Sequence, residues 1–481
     1  MKDLFDRSEI LGVLHGFNPW WSGRQNPVPD FRRLALEACR IYLEDASLRR
    51  AVLLSGPRRV GKTTILLQIA NHLISKGHDP KSVFYVSLDH PLIKLLNVRE
   101  IINLYHDSIH ARGKEAFLLL DEVQYSREWE TEIKLLVDHQ PHYRILATGS
   151  AGVVHRERLA ESGTGRWITV PIPTLSFFEF VQIRGEAGPE IPASLRPTDL
   201  FSMTQGDRTE LTLRLQGLLP LFQHYLLVGG FPETAVQRNT ALCQRLLRED
   251  VVERVLKRDM TALFGVRNVN EVERLFIYLC LHSGGIVAHR TCADTLGTSP
   301  TTVANHLSLL EQANLIYRLP PAEMRGKKVL RSRNKYYLVD AALRNAVLLR
   351  GEEIFTNPEE MGVIVETTVL RHLYAYYYRD VPTISYWRDP ATQKEVDIIV
   401  QSPRYTFPFE VKYQENPRLR EASGLVAYCK LEKVTRAYWV TKQDRDFDVL
   451  RFEGLETEFL KVPAHVLCYL LGQAERLLWS S

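Results

Sequence analysis

The stretch Gly56-Pro57-Arg58-Arg59-Val60-Gly61-Lys62-Thr63-Thr64 has the spacing G-x-x-x-x-G-K-[ST]. The apolar residues 51–54 precede it, as a buried strand requires, and apolar residues recur at helical spacing over 65–73. At such a strand–helix junction, glycines let main-chain N–H groups point at an anion, and the helix N-terminus adds partial positive charge. The pattern predicts a nucleotide phosphate-binding loop formed by all nine residues. In it, Lys62 reaches the terminal phosphates and Thr63 ligates Mg²⁺.

Two carboxylates follow a second apolar run downstream. Residues 117–120 predict a buried parallel strand, and Asp121 and Glu122 lie at its carboxyl end. Ligands of parallel α/β sheets bind at this edge, so we expect Asp121 to hold the Mg²⁺ and Glu122 to polarise the attacking water. Without the loop at residues 56–64, a solvated strand end would be the better interpretation of the two acids.

A third apolar run, residues 144–147, leads into polar residues that could reach the same edge. A hydroxyl at this position can hydrogen-bond the γ-phosphate or the attacking water. We favour Ser150 for this role, with Thr148 as the second candidate.

The order of these segments resembles the AAA+ ATPases. More narrowly, it is similar to prokaryotic AAA+ proteins that carry a C-terminal winged-helix and PD-(D/E)xK nuclease-like region. Besides the phosphate loop, the resemblance rests on residues 18–21, 119–124, 148–150 and 229–233. It implies ATP and Mg²⁺ as cofactors and a homo-oligomer, with a hexamer favoured. It also implies an arginine that reaches the neighbouring subunit's ATP; Arg166 is the candidate, and a surface arginine is the open alternative.

The fold class predicted is α/β, and 481 residues are too many for one hydrophobic core. We expect a P-loop AAA+ domain with a parallel sheet at residues 1–172 and a helical lid at 173–270. A winged helix at 271–340 and a restriction-endonuclease-like α/β domain at 341–481 complete the predicted order.

The amino-acid composition indicates the redox compartment of the protein and whether a membrane is involved. Its six cysteines are scattered without a C-x-x-C pair, which argues against zinc and against a disulfide framework and favours a reducing cytoplasm. No apolar run approaches the ~20 residues that span a bilayer, so we expect no membrane association.

The predicted winged helix carries two features suited to DNA. Its third helix places apolar residues on one face and the short polar side chains of Thr301, Thr302 and Asn305 on the other, as a major-groove contact would need. The following hairpin-like stretch holds six basic residues and no acid: Arg325, Lys327, Lys328, Arg331, Arg333 and Lys335. We expect the first five of these to contact phosphates. A protein-docking or spacer module is the alternative.

A second constellation lies near the C-terminus. Glu410 and Lys412 alternate with apolar residues in a strand-like run, so they share one face; Asp397 lies in the preceding apolar run and Glu366 on an upstream helix. This is the PD-(D/E)xK pattern. We expect Glu366, Asp397 and Glu410 to ligate Mg²⁺ or Mn²⁺, with Lys412 orienting water. A surface strand pair, or a fold retained for DNA binding without cleavage, are the alternatives.

The leading hypothesis is therefore an oligomeric ATP-hydrolysing protein that binds and remodels DNA, with branched DNA one option for the substrate. A nucleotide-dependent signalling or defence switch with a non-cleaving C-terminal scaffold is the first alternative. A metal-dependent nuclease gated by ATP is the second.

Overall fold

The computed structural model describes residues 7–45, 47–149, 165–322 and 333–479. They form two compact units. The first holds the described residues up to Ile172 with the short segments Ala262–Gly265 and Gln312–Asn314, and the second holds the others. Within the described ranges, no helix combines the length and the apolar composition needed to cross a bilayer.

A five-stranded parallel sheet is the centre of the first unit. Its strands are β1 (Ala51–Ser55), β2 (Val83–Ser87), β3 (Ala116–Asp121), β4 (Tyr143–Gly149) and β5 (Trp167–Pro171), in the order β2-β3-β4-β1-β5. Their apolar runs are almost entirely buried because helices cover the sheet. The predicted P-loop α/β fold is confirmed. Strand β4 extends two residues beyond the apolar run, so Thr148 is part of it.

Five helices accompany this sheet in the first unit: α1 (Arg7–Phe17), α2 (Ala35–Glu44), α3 (Lys62–Ser75), α4 (Val98–Ser108) and α5 (Trp129–His139). Helix α3 begins directly at the lysine of the phosphate loop. Strand order places β1 between β4 and β5. The loop after β1 therefore lies beside the carboxyl ends of β3 and β4, where the candidate polar residues are.

The second unit begins with a helical region. It contains α6 (Phe177–Ile183), α7 (Gln205–Leu215), α8 (Leu219–Val228), α9 (Pro232–Ala235) and α10 (Thr240–Leu246), followed by a π-helix at Leu247–Asp259. This region is therefore mostly helical, as predicted. Apart from Ala262–Gly265, however, the region groups with the C-terminal residues and not with the nucleotide-binding unit.

Three helices and a two-stranded antiparallel sheet come next: α11 (Val269–Leu281), α12 (His289–Leu296), α13 (Pro300–Gln312), β6 (Ile316–Leu319) and β7 (Lys335–Leu338). Gly297 ends α12 with a left-handed backbone (φ 68°), and the Ser299 hydroxyl accepts a hydrogen bond from Thr302 N (3.0 Å) at the start of α13. This is the element order predicted for residues 271–340.

The C-terminal part is built on a six-stranded mixed sheet. Its elements are α14 (Ala341–Leu348), α15 (Pro358–Tyr377), β8 (Thr383–Arg388), β9 (Glu395–Ser402), β10 (Tyr405–Val411), α16 (Gly424–Glu432), β11 (Arg436–Thr441), β12 (Asp448–Leu450), β13 (Glu458–Pro463) and α17 (Ala464–Trp479). The strand order is β12-β13-β11-β10-β9-β8, with parallel pairing of β11 to β10 and β13. The α/β class extends to this region.

The paired glycines Gly229 and Gly230 join distant segments of the second unit. Gly230 N donates to the Asp340 carboxylate at 2.9 Å, and a Cβ on Gly230 would lie 2.5 Å from Leu175 O. Gly229 has a φ of 75°, where side chains are strained. Glycine is needed at both positions because the backbone passes so close to its neighbours.

Candidate nucleotide and carboxylate sites

The phosphate loop connects β1 to α3 through two strained positions and one close approach. Arg59 and Gly61 have φ values of 64° and 94°. A Cβ on Gly56 would lie 2.0 Å from Ile172 O, so the residue after β1 must be glycine for the chain after β5 to pass. Glycine at positions 56 and 61 therefore permits this path of the loop.

Lys62 points back into this loop. Its side chain is buried, and the ammonium donates to Gly56 O at 2.9 Å and Pro57 O at 2.7 Å. Val60 is buried and its carbonyl accepts from Arg33 at 2.6 Å. Such a positive charge, held by neutral carbonyls, fits an anion better than an apolar contact.

The other loop side chains spread over its outer surface. Arg58 is half-buried and donates to the Tyr125 hydroxyl at 2.6 Å, while Arg59 is exposed. Thr64 faces a half-buried environment at the start of α3. These contacts link the loop to the turn that follows Glu122.

Asp121 is the centre of a hydroxyl cluster. Its carboxylate accepts from Thr63 Oγ1 at 2.7 Å, from the Tyr85 hydroxyl at 3.0 Å and from Thr148 Oγ1. Burial raises the pKa of this carboxyl, and the charge of Glu122 raises it further, while the three hydroxyls act in the opposite direction. The structure thus brings together Thr63 and Asp121, the two residues predicted to hold Mg²⁺.

Glu122 occupies a strained position next to Asp121. Its backbone is left-handed (φ 55°), which is uncommon for a residue other than glycine. Its N–H donates to Thr148 Oγ1 at 3.0 Å, and its carboxylate accepts from the Gln124 amide. Thr148 therefore contacts both acidic residues; the role predicted for it, as second choice after Ser150, was a hydrogen bond to the γ-phosphate or the attacking water.

Two further residues, Ser150 and Arg166, were predicted to be catalytic. Ser150 lies outside the described residues. Arg166 precedes β5, where its carbonyl accepts from Ala51 N at 2.8 Å. Its guanidinium is 40% exposed and pairs with Asp138 at 3.1 Å.

The second constellation is assembled on α15, β9 and β10. Asp397 Oδ2 accepts from Val411 N at 2.9 Å, and Lys412 Nζ lies 2.6 Å from Glu410 Oε1 and 3.9 Å from Asp397 Oδ2. Glu366 faces the same cluster from α15. The four predicted residues are therefore neighbours, as the D…E-x-K pattern indicates.

Sequence reasoning missed three members of this cluster. The ammonium of Lys335, from β7, pairs with Glu395 and lies 3.9 Å from both Glu366 Oε1 and Asp397 Oδ1. Two residues along the same strand face, the Tyr337 hydroxyl donates to Glu366 Oε1 at 2.5 Å. Lys335 belongs to the basic stretch interpreted as a phosphate contact, but it is buried and paired with acids. The alternation of Lys335 and Tyr337 was the signal for a shared face.

Burial dominates the protonation of the cluster. It raises the pKa of Glu366 to about 7 and that of Glu410 to about 8, and the charge of Asp397 adds to both effects. Burial lowers the pKa of Lys335, but Glu366, Asp397 and Glu395 outweigh it and raise that pKa above its ordinary value. The surrounding carboxylates therefore favour the charged form of Lys335.

The structure does not show the metal site predicted at Glu366, Asp397 and Glu410. Among the described residues, no three histidine, cysteine, aspartate or glutamate side chains are arranged to hold a metal ion. Glu366, Asp397 and Glu410 are neighbours, but lysine ammonium groups lie between them. As arranged here, these carboxylates do not fit a divalent cation.

The predicted DNA contacts are only partly described. Thr301 and Asn305 are exposed on α13 and Thr302 is half-buried, opposite the buried Val303 and Leu307. The exposed Arg333 precedes β7. The remaining basic residues of the stretch lie outside the described residues: Arg325, Lys327, Lys328 and Arg331.

Comparison with protein families divides the chain into three matched segments. Residues 48–181 match the family described as "AAA domain". Residues 219–354 and 361–457 match two families described as "Domain of unknown function" (DUF8612 and DUF4143). The segment that holds the phosphate loop, Asp121 and Arg166 is thus similar to the AAA domains.

Two relatives resemble most of the chain. A protein of Haemophilus influenzae is 24% identical over 382 residues, which cover 78% of this chain and 85% of the relative. One of Methanocaldococcus jannaschii is 24% identical over 351 residues, 72% of each chain. Both carry the name "Uncharacterized protein".

Two solved structures are also similar. The Thermotoga maritima RuvB Holliday junction branch migration motor is 18% identical, covering 63% of this chain and 94% of its own, with a TM-score of 0.28. AMPPCP-bound DnaA from Aquifex aeolicus is 18% identical, covering 60% and 89%, with a TM-score of 0.24. These scores are too low to support an inference about this chain.

Proposed function

We propose that this chain is an ATPase whose first unit binds and hydrolyses ATP with Mg²⁺, and that it works on DNA as a homo-oligomer. The observation that carries the proposal is the contact of the Thr63 hydroxyl with the Asp121 carboxylate, at the end of a loop whose carbonyls hold the buried Lys62 ammonium. A threonine, an acid and a lysine in this arrangement are the groups that P-loop enzymes use for the metal and the phosphates.

The residues present fit the nucleotide and its metal. Thr63 and Asp121 would hold Mg²⁺, which supplies charge neutralisation to the terminal phosphates. Lys62, the N–H groups of residues 56–64 other than Pro57, and the start of α3 would bind the phosphate oxygens. Preference for ATP over GTP rests on the similarity of residues 48–181 to the AAA domains.

Hydrolysis would require a polarised water. We propose that Glu122 accepts its proton; its strained backbone at the carboxyl end of β3 supports this role. Thr148 positions this group through its contact with Glu122 N, and Ser150 remains the favoured contact for the γ-phosphate. Arg166 would act on the ATP of a neighbouring subunit, which is why we propose an oligomer with six subunits favoured.

The DNA part of the proposal rests on the second unit. The exposed polar face of α13, with Thr301 and Asn305, has side chains short enough for groove contacts. In the sequence, a run of basic residues follows from Arg325 to Arg333 and would contact phosphates. Clustered positive charge of this kind is the electrostatic footprint of nucleic-acid binding. Branched DNA is one substrate to test.

A slow nucleotide switch is the second candidate, and one observation favours it. The Gln124 amide donates to the Glu122 carboxylate, the group that would polarise water. While that bond persists, the amide occupies a carboxylate oxygen that would otherwise accept the proton of the attacking water. Bound nucleotide would then remain unhydrolysed for longer.

One experiment separates the candidates. ATP turnover is measured without DNA and with duplex, single-stranded and four-way DNA, with Asp121→Asn as the inactive control. Strong stimulation by one DNA form supports the proposal, whereas slow turnover that ignores DNA supports the switch. Cleavage of DNA without stimulation supports the ATP-gated nuclease. If folded protein gives no heat on titration with ATP in calorimetry, the nucleotide-binding proposal is wrong.

A further inference from the structure

We propose that Lys335 closes the carboxylate cluster of the second unit to metal ions, because its ammonium occupies the space that a divalent cation would need between Glu366 and Asp397. The inference does not depend on ATP hydrolysis, since the cluster lies wholly within the second unit. It assigns a role to a lysine whose sequence context suggests a phosphate contact.

The position of the ammonium carries the proposal. Lys335 Nζ lies 3.9 Å from Glu366 Oε1 and 3.9 Å from Asp397 Oδ1, and it pairs with Glu395. Its side chain is 4% exposed, so the ammonium is shielded from bulk solvent. A hard divalent ion binds carboxylate oxygens at about 2.0–2.6 Å, and it would have to enter between the same two oxygens.

Charge repulsion prevents the Lys335 ammonium and a divalent cation from occupying the carboxylate cluster at the same time. A divalent cation beside a fixed ammonium in a buried site is repelled strongly, because the interior screens charges poorly. Lys412 adds a second ammonium on the other side of Asp397, 2.6 Å from Glu410 Oε1. The carboxylates are thus bridged by lysines where a nuclease would bridge them with metal.

The backbone of Lys335 is fixed on both sides. Strand β7 pairs Lys335 with Leu319 of β6, and a further bridge pairs it with Ile286. The Tyr386 hydroxyl of β8 donates to Arg333 O at 2.7 Å, and Tyr337 is anchored on Glu366. The main chain thus fixes where the side chain begins, and the surrounding carboxylates hold its ammonium in the cluster.

The test uses Mn²⁺ alone as the probe, in full-length protein that carries Asp121→Asn so that the nucleotide site does not contribute. Binding is measured by electron paramagnetic resonance of free Mn²⁺ and by the Mn²⁺-dependent shift of the melting temperature. The variants are Lys335→Gln and Lys335→Met. Lys335→Arg keeps the charge, and Lys461→Gln removes a lysine from another ion pair of the same unit, with Asp446.

We expect the Lys335→Gln and Lys335→Met proteins to gain one Mn²⁺ site, tighter than any in the parent by about a hundredfold. Asp397→Asn in the same chain should remove it, and Mn²⁺ should raise the melting temperature only of these two variants. Neither Lys335→Arg nor Lys461→Gln should gain a site. Circular dichroism checks that each variant is folded.

Two results would overturn the proposal. The first is a Mn²⁺ site in the parent protein that Asp397→Asn removes, which needs no substitution of Lys335 to observe. The second is a folded Lys335→Gln or Lys335→Met protein that gains no Mn²⁺ site.

Discussion

Asp121 in the first unit and Asp397 in the second both lie on buried strands of central sheets, but their surroundings differ in kind. Around Asp121 the described partners are the hydroxyls of Thr63, Tyr85 and Thr148. Around Asp397 they include the ammonium groups of Lys335 and Lys412. Hydroxyls orient a carboxylate without cancelling its charge, whereas ammonium groups cancel it. The first arrangement is suited to a metal and the second is already compensated.

The two buried lysines, Lys62 and Lys335, also differ in the groups that surround them. Lys62 is held by the carbonyls of Gly56 and Pro57, which leave its charge to act on a ligand, whereas Lys335 is surrounded by the carboxylates of Glu366, Glu395 and Asp397. Removing one partner of a buried ion pair leaves an uncompensated charge and destabilises the fold. Substitution of the two lysines should therefore affect different properties.

The largest expected effect is from Lys62→Ala. It should abolish both ATP binding and turnover, because the terminal phosphates lose their positive partner. Lys335→Met should leave turnover intact but lower the melting temperature. Filter binding, steady-state phosphate release and calorimetric unfolding measure the three quantities. Turnover that survives Lys62→Ala would remove the distinction between the two sites.

A second prediction concerns whether the nucleotide site is completed by a neighbouring subunit. Arg166→Ala should lower turnover by about a thousandfold and leave ATP affinity unchanged, because an arginine finger acts on the transition state. The control is Asp138→Asn, which breaks the ion pair of Arg166 but keeps the arginine. Equal effects of the two substitutions in the phosphate-release assay would make Arg166 a surface residue.

The smallest effects come from a matched pair of hydroxyls, each donating to a buried acid. Tyr85→Phe removes the contact with Asp121 and should lower turnover several-fold. Tyr337→Phe removes the contact with Glu366 and should not change turnover, but should lower the free energy of unfolding by about 1–3 kcal/mol. Urea unfolding and phosphate release measure both. If Tyr337→Phe impairs turnover, the sites are coupled and our separation of them is wrong.

Prediction from sequence succeeded where the signal is local. The phosphate loop is one continuous turn, so its glycines and Lys62 can be identified from spacing alone. The buried strands that carry Asp121 and Asp397 are visible as apolar runs. The choice between Thr148 and Ser150 could not be made in this way, because it depends on where β4 ends and on which hydroxyl reaches Asp121.

The cluster around Asp397 shows the limit of such reasoning. Lys335 ends a run of basic residues whose first five members are predicted to contact phosphates, and nothing in that run indicates a buried lysine. The run does not reveal that Lys335 is buried against Glu366 and Glu395. These two residues lie far along the chain and meet Lys335 only when β7 packs beside β9 and α15.

The amino-acid sequence alone determined the α/β class, the phosphate loop and the identity of the acidic residues at both sites except Glu395, since each depends on neighbours along the chain. Only the tertiary structure decided which charges meet. It placed Thr148 on Asp121 and Lys335 among the carboxylates of the second unit. The physical reason is that electrostatic partnership depends on distance in space and on burial, and a linear pattern records neither.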